Sequence, residues 1–269
     1  MTTTDPSVHR PLGWRQQQKA RTSSRRGLPT TLPPAAEPPA DQLSLWDDRL
    51  TARGRTVEVL PGAVLVEGWL DLDQQRALAD DFRRWAEPPA GLRHPRMPTG
   101  HLMTLQSVCL GWHWQPYRYS ATADDTDGAP VKPLPPELVE LSRRAVAAAY
   151  GEDHPAVAPF APDAAIVNLY APGARLGLHQ DGDEPVDAPV VTISLGDTCR
   201  FRFAGVDRRT APFTDLELRS GDLLVFGGPT RLIYPGVPNT YPGTAPAGLG
   251  LPPGRVSITV RQTGLPRRD

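Results

Sequence analysis

The chain has 269 residues, is 39% hydrophobic and carries a formal net charge of −1, the figures of an ordinary soluble protein with one large domain or two modest ones. No apolar run approaches the roughly 18–20 residues that span a bilayer, and the N-terminus lacks the apolar core of a secretory signal. Two cysteines without CxxC spacing, Cys109 and Cys199, indicate neither a disulfide framework nor a structural zinc site, and the chain is expected to be cytoplasmic.

Residues 1–40 are basic, then proline-rich ("GLPTTLPPAAEPPAD"), and are expected to form a disordered tail. Within residues 1–26, Arg10, Arg15, Lys19, Arg21, Arg25 and Arg26 face Asp5 alone. Such an arm can add weak, salt-sensitive attraction to a polyanion, or simply stay solvated. A single domain is expected over 41–269. It opens with two β-prone runs in "VEVLPGAVLVEGWL", broken by a turn at Pro61-Gly62. In "DLDQQRALADDFRRWAEPP", Asp71 and Gln74 stand at capping-box spacing, and Leu78, Phe82 and Trp85 form one stripe. A helix is therefore predicted near 71–86, stopped by Pro88-Pro89. A second is predicted near 136–150, in "PPELVELSRRAVAAAYG", with prolines at its start and Gly151 just past its end.

From about 163 the texture changes to short strands separated by Gly, Pro and Asp: "AAIVNLYAPG", "PVVTISLG", "RFRFAG", "LELRSGDLLVFGG" and "RVSITVRQTG". In "CRFRFAG", Phe201 and Phe203 face one side while Arg200 and Arg202 face the other. The spacing predicts a sandwich or jelly roll. There is no internal repeat and no glycine-rich phosphate loop.

"GLHQDGDEP", residues 177–185, sets one histidine among three carboxylates. His179 and Asp181 stand two apart, which on an extended strand puts both on one face and offers two thirds of the facial set that holds non-haem Fe(II). Most HxD tripeptides are loop accidents, so the pair alone is a weak signal. In "RVSITVRQTG", Val256, Ile258 and Val260 alternate with Arg255, Ser257, Thr259 and Arg261. The second set is either the solvated face of an edge strand or a carboxylate-binding face. Six residues of straight strand span roughly 20 Å, so both arginines reach one small ligand only round a strong bend.

"NLYAPGARLGLHQDGDEP", "PVVTISLG", "SGDLLVFGGPTRLIYPG" and "RVSITVRQTG" together resemble, in order and spacing, the blocks of the AlkB family, from about Leu110 to Gly264. These are Fe(II)- and 2-oxoglutarate-dependent dioxygenases that remove alkyl lesions from nucleobases. The resemblance implies a mainly β fold with flanking helices: a double-stranded β-helix, or jelly roll, with its core at about 160–264 and a substrate lid at about 100–125. It implies Fe(II), 2-oxoglutarate and O2 as reactants. His179 and Asp181 would be catalytic iron ligands, and Asn168, Tyr170, Arg255, Ser257 and Arg261 would bind the co-substrate. Trp112, Tyr117, Arg118, Tyr119, Asp183 and Arg208 would contact the damaged base and its phosphate. The implied partner is alkylated DNA, single- or double-stranded, or RNA, met by a monomer away from membranes. Without the resemblance, Trp112 and Trp114 read equally well as core aromatics, and Asp183 and Glu184 as a solvated loop pair.

The pattern breaks once. The family's third iron ligand is a histidine in a block resembling "RLxYHG", and this chain reads "RLIYPG" with Pro235 at that position. Its histidines are His9, His94, His101, His113, His154 and His179, so none follows position 179. Three readings stay open. Iron could be held by His179 and Asp181 with water or a donor from elsewhere, His113 among the candidates. The chain could instead be a metal-impaired relative that binds alkylated nucleic acid without turnover, or an active enzyme's sequence carrying an isolated substitution. A jelly-roll oxygenase acting on a protein or small molecule is a further class.

Overall fold

A computed structural model describes residues 54–266; the tail expected over 1–40 lies outside the described residues. The first two strands, β1 (Thr56–Leu60) and β2 (Ala63–Val66), pair antiparallel across the turn at Pro61-Gly62. Helix α1 (Leu72–Ala86) starts on the expected capping box: the Asp71 carboxylate accepts from the backbone N–H groups of Asp73 and Gln74, and the Gln74 side chain accepts from the Asp71 N–H. Its Leu78, Phe82 and Trp85 are buried, as the stripe requires. Helix α2 (Pro136–Tyr150) ends at Gly151, whose φ of 89° suits a residue without a Cβ.

The remaining strands are β3 (Gln106–Leu110), β4 (His113–Gln115), β5 (Arg118–Ser120), β6 (Ala164–Tyr170), β7 (Val190–Gly196), β8 (Cys199–Phe203), β9 (Thr214–Leu218), β10 (Leu223–Phe226), β11 (Pro235–Thr240) and β12 (Arg255–Arg261). Seven form a major sheet in the order β1-β2-β10-β7-β12-β6-β3, and three a minor sheet in the order β11-β8-β9. All these pairings are antiparallel. Helix α2 packs on β2, β7 and β10, and α1 on β3.

The core between the sheets is aromatic. The Phe203 ring meets Phe201 and Phe226 edge-on, at centroid distances of 5.2 and 5.6 Å, beside Tyr170, Leu224 and Val237. Each such side chain, fully buried, contributes about 1.5–3 kcal/mol of transfer free energy. Arg200 and Arg202 point outward as the alternation predicted, and Arg202 pairs with Asp215 at 2.6 Å. This is the jelly-roll core expected from the sequence, mainly β with flanking helices.

Strand β12 is interior, hydrogen-bonded to β7 on one side and β6 on the other. The solvated edge strand considered for it is therefore wrong. Arg255, Ser257 and Arg261 are only 0, 4 and 6% exposed. A buried guanidinium is costly unless paired, so this face must carry partners.

Candidate metal and co-substrate site

The loop between β6 and β7 holds the HxD pair. Its residues 177–184 belong to neither sheet, but its backbone is tied to β11: Leu176 and Val237 exchange hydrogen bonds, and the His179 N–H donates to the Pro235 carbonyl at 3.0 Å. These contacts bring His179 Nε2 to 3.3 Å from Asp181 Oδ1. At that separation the two side chains form a direct ion pair, and both face the same cleft. His179 Nδ1 lies 3.1 Å from the Gly177 carbonyl, which can only accept. Nδ1 therefore donates to that carbonyl, and Nε2 faces Asp181 and the cleft.

Asp181 is buried and charged. Burial pushes its carboxyl up, but the Arg261 guanidinium and His179 outweigh burial and hold it well below the usual carboxylate range. Arg261 Nη2 donates to Asp181 Oδ1 at 2.6 Å, and Nη1 to Glu184 Oε1 at 2.9 Å. Arg231 closes the network, reaching Glu184 Oε2 at 3.0 Å and the Asp181 carbonyl. Glu184 is likewise pushed up by burial and pulled lower by Arg261. The solvated pair considered for Asp183 and Glu184 thus fails for Glu184, which is buried between two arginines.

Arg255 is different. It is fully buried, donates from Nε to Ser194 Oγ at 3.0 Å and from Nη2 to Ser257 Oγ at 3.4 Å, and lies 5.2 Å from the Tyr170 ring centre. Its Nη1 has no hydrogen-bond partner. A buried, charged N–H left open is a strong reason to expect an anionic ligand. Asn168, whose Oδ1 accepts from Ser107 Oγ at 2.5 Å, lines the adjoining cleft with Tyr170, Ser257, His179 and Asp181.

The expected lid residues form a hairpin of β4 and β5. Its root is the turn at Gly111, where φ is 77° and an added Cβ would fall 1.9 Å from the Asp163 carbonyl. Arg93 donates from Nε to Asp125 at 2.7 Å and from Nη2 to the Trp114 carbonyl at 2.6 Å. His113 Nε2 meets the same Asp125 oxygen at 2.6 Å. His113 is thus spent on the lid root and is not the missing metal donor. Trp114 Nε1 donates to Asp183 Oδ2 at 3.0 Å, and the Tyr119 hydroxyl donates to Glu184. Arg118 is tied to Asp124 and Gln115 at 2.9 and 3.0 Å. Tyr117, at the hairpin turn, is 58% exposed with φ of 73°. Trp112 is half-buried and Arg208 exposed. The sequence reading gave no role to Glu184, Arg231 or Trp114. Glu184 and Arg231 sit inside blocks it had quoted, but their roles depend on partners 47 to 77 residues away.

The residues fit a 2-oxo dicarboxylate, on the evidence of the open Arg255 Nη1. They fit a divalent metal only in part. Pro235 lines the cleft, but its side chain has no donor and its carbonyl is taken by His179. Among the described residues, no group of three His, Cys, Asp or Glu side chains can hold a metal ion.

Comparison with known proteins places this geometry. Residues 62–261 match the model of the 2OG-Fe(II) oxygenase superfamily. An alpha-ketoglutarate-dependent dioxygenase AlkB homolog of Caulobacter vibrioides is 36% identical over 217 residues, 77% of this chain and 90% of the relative. A DNA N(6)-methyladenine demethylase of Arabidopsis thaliana, ALKBH1D, is 33% identical over 222 residues, 76% of this chain. The chain spans about half the length of that plant relative. The solved structure of OsALKBH1 superposes with a TM-score of 0.69 at 34% identity, covering 77% of this chain and 100% of that one. The chain belongs to the 2OG-Fe(II) oxygenase superfamily, within its AlkB family.

Proposed function

We propose that this chain catalyses oxidative dealkylation of nucleobases, taking 2-oxoglutarate as co-substrate with Fe(II) and O2 and releasing the alkyl group as an aldehyde. The observation that carries the reading is the cleft itself. There His179 and Asp181 converge, and Tyr170, which lines the same cleft, lies against a buried arginine with an open N–H, in a chain that shares its family with named dioxygenases and DNA demethylases. When bound, the iron supplies O2 activation coupled to decarboxylation of the oxo acid.

The chain's own residues bind and orient. Arg255 takes the far carboxylate of the co-substrate, with Tyr170, Ser257 and Asn168 shaping the space around it. Arg261 holds Asp181 charged and aimed, a positioning role beside the co-substrate. Trp114 fixes Asp183, whose negative charge favours a cationic alkylated base over a neutral one. Tyr117 offers a stacking surface for a base taken out of its stack, and Trp112, Arg118, Tyr119 and Arg208 lie on the same lid or rim. Single-stranded alkylated DNA is the first partner to test, because an unpaired base costs least to place in a pocket.

The test is succinate formation by the full-length chain with Fe(II), 2-oxoglutarate and ascorbate. Methylated single-stranded DNA should raise the rate above that with unmethylated DNA, with loss of the methyl group from the oligonucleotide. Succinate at equal rates with both DNAs would overturn the substrate class, and no succinate at saturating iron would overturn the activity.

A further inference from the structure

We propose that Val206 and Leu232 form an apolar step beside the cleft, on which the nucleotide next to the target base stacks while Arg209 meets its phosphate. This rests on the reading that the chain takes alkylated nucleic acid, and it adds a site for the neighbouring nucleotide that the reading does not require.

The first observation is a rigid, exposed apolar pair. Leu232 is 50% and Val206 40% exposed. One exposed apolar side chain is ordinary, so the signal lies in adjacency. A single amide joins the two: Gln180 Nε2 donates to the Leu232 carbonyl at 2.6 Å and to the Val206 carbonyl at 3.4 Å. The Ala204 N–H, donating to the Tyr234 carbonyl at 2.9 Å, ties the same two segments again. Phe213, also exposed, is instead covered by the Arg202 guanidinium at 4.4 Å. An apolar surface ordered in advance loses little entropy when a ligand covers it, and covering removes its contact with water.

The second observation is position. Gln180 stands between His179 and Asp181, and an added Cβ on Gly182 would fall 3.9 Å from Leu232 Cδ2. Gly182 separates Asp181, in the cleft wall, from Asp183, which Trp114 holds. The step therefore adjoins the loop that carries both the cleft and the expected base reader. A base drawn from its strand into the cleft leaves its neighbour unstacked at the rim, and an apolar side chain there replaces the lost stacking partner.

The third observation is charge, which favours a nucleotide over an apolar peptide. The loop that carries Val206 continues through Asp207, Arg208 and Arg209, so this run is net positive. The Arg209 guanidinium lies 4.9 Å from the ring centre of Tyr234, two residues from Leu232. The cation is thereby held on the Leu232 side of the loop, beside the path of a strand whose base covers the step.

The experiment is fluorescence anisotropy of the metal-free full-length chain with a labelled single-stranded DNA bearing one N1-methyladenine, without 2-oxoglutarate or turnover. Leu232→Ser and Val206→Ser should each weaken binding by about 5-fold at fixed salt and leave the salt dependence unchanged. Arg209→Gln should lower the slope of log K against log salt by about 0.7. Removing the base next to the methylated one, on each side in turn, should cost the native chain about 5-fold on one side. Leu232→Ser should be indifferent to that removal, because the step it needs is already gone.

Equal affinity of the native chain and both serine variants overturns the proposal, as does an abasic penalty that Leu232→Ser keeps in full. Indifference of the native chain to either missing base, or no binding of the strand, overturns it whatever happens to the folding of a variant. An unchanged salt slope in Arg209→Gln overturns the phosphate contact. Methyl-dependent succinate formation by a chain whose binding ignores Val206 and Leu232 would remove the step and keep the dealkylase reading. Binding that depends on the step, without turnover, would do the reverse.

Discussion

Arg255 and Arg261 stand at the two ends of one strand, on the same face, both buried, yet they are held in opposite ways. Arg261 gives its two terminal nitrogens to Asp181 and Glu184. Arg255 meets serine hydroxyls and Tyr170 but no carboxylate in its hydrogen bonds, and keeps Nη1 without a partner. The difference separates two uses of a buried charge. One that the protein neutralises itself is part of the fold. One left short of a counter-charge is a binding site, because only a ligand can repay its desolvation.

The comparison breaks most visibly at Arg261. Arg261→Met leaves Asp181 facing the cleft without its strongest partner and Glu184 with Arg231 alone. Breaking a buried pair in this way costs about 3–5 kcal/mol, read as a drop in the urea midpoint with little change in slope. A loss under 1 kcal/mol would mean that the network is solvated in practice, and the contrast with Arg255 would fall. Arg255→Met should do the opposite. Folding stability should hold or rise, since a buried charge with an open donor is removed. Binding of 2-oxoglutarate should weaken by about 10- to 150-fold, the value of a charged hydrogen bond of about 1.5–3 kcal/mol. Calorimetry with 2-oxoglutarate decides it, and unchanged affinity would place the carboxylate elsewhere.

Much of this was legible in the sequence, for identifiable reasons. Helix α1 was announced by a cap and a stripe, both local signals, and both are present. The inner and outer faces of β8 followed from alternation alone. The interior position of β12 was not legible, because "RVSITVRQTG" alternates like a half-exposed strand and its polar face meets buried carboxylates instead of water. Nor does spacing reveal that Arg261 serves Asp181 while Arg255 stays open: that depends on which loop folds over each end of the strand. The roles of Glu184 and Arg231 were hidden for the same reason. The absence of a third metal donor was legible from the histidine positions, but the fate of the Pro235 carbonyl was not, since it depends on pairing with residue 179.

Arg93 extends the comparison to a third buried guanidinium, committed like Arg261 but at the lid root. Its partner Asp125 is pushed up by burial and drawn down more strongly by His113 and Arg93, to about 2. His113 is disfavoured as a cation by burial, yet its bonds to Asp125 and Cys109 raise it above 6.5. The depressed carboxylate adds stability that is present above its ordinary value near 3.8 and lost as pH falls toward 2. The raised imidazole adds stability that is present below 6.5 and lost as pH climbs through its folded value. Asp125→Asn should therefore lower stability by about 1–2 kcal/mol, with the largest Tm gap to the native chain between about pH 4 and 6.5 and a narrowing gap on both sides. A gap constant from pH 3 to 9 would show that packing, and not this ion pair, secures the hairpin.

The smallest effect belongs to Tyr119, the link between the hairpin and the Arg261 network. Its hydroxyl donates to Glu184 Oε1, with Arg261 Nη1 3.4 Å away. Tyr119→Phe removes one donor without orphaning its acceptor, because Glu184 Oε1 keeps Arg261 at 2.9 Å. The stability cost should be about 0.5–1.5 kcal/mol. The local effect should be clearer: amides of β4 and β5 should exchange hydrogen faster as the hairpin loses a tether, while 2-oxoglutarate affinity stays at the native value. An affinity loss in Tyr119→Phe would carry the lid's influence past Arg261 to Arg255, and the two ends of β12 would then be one coupled site.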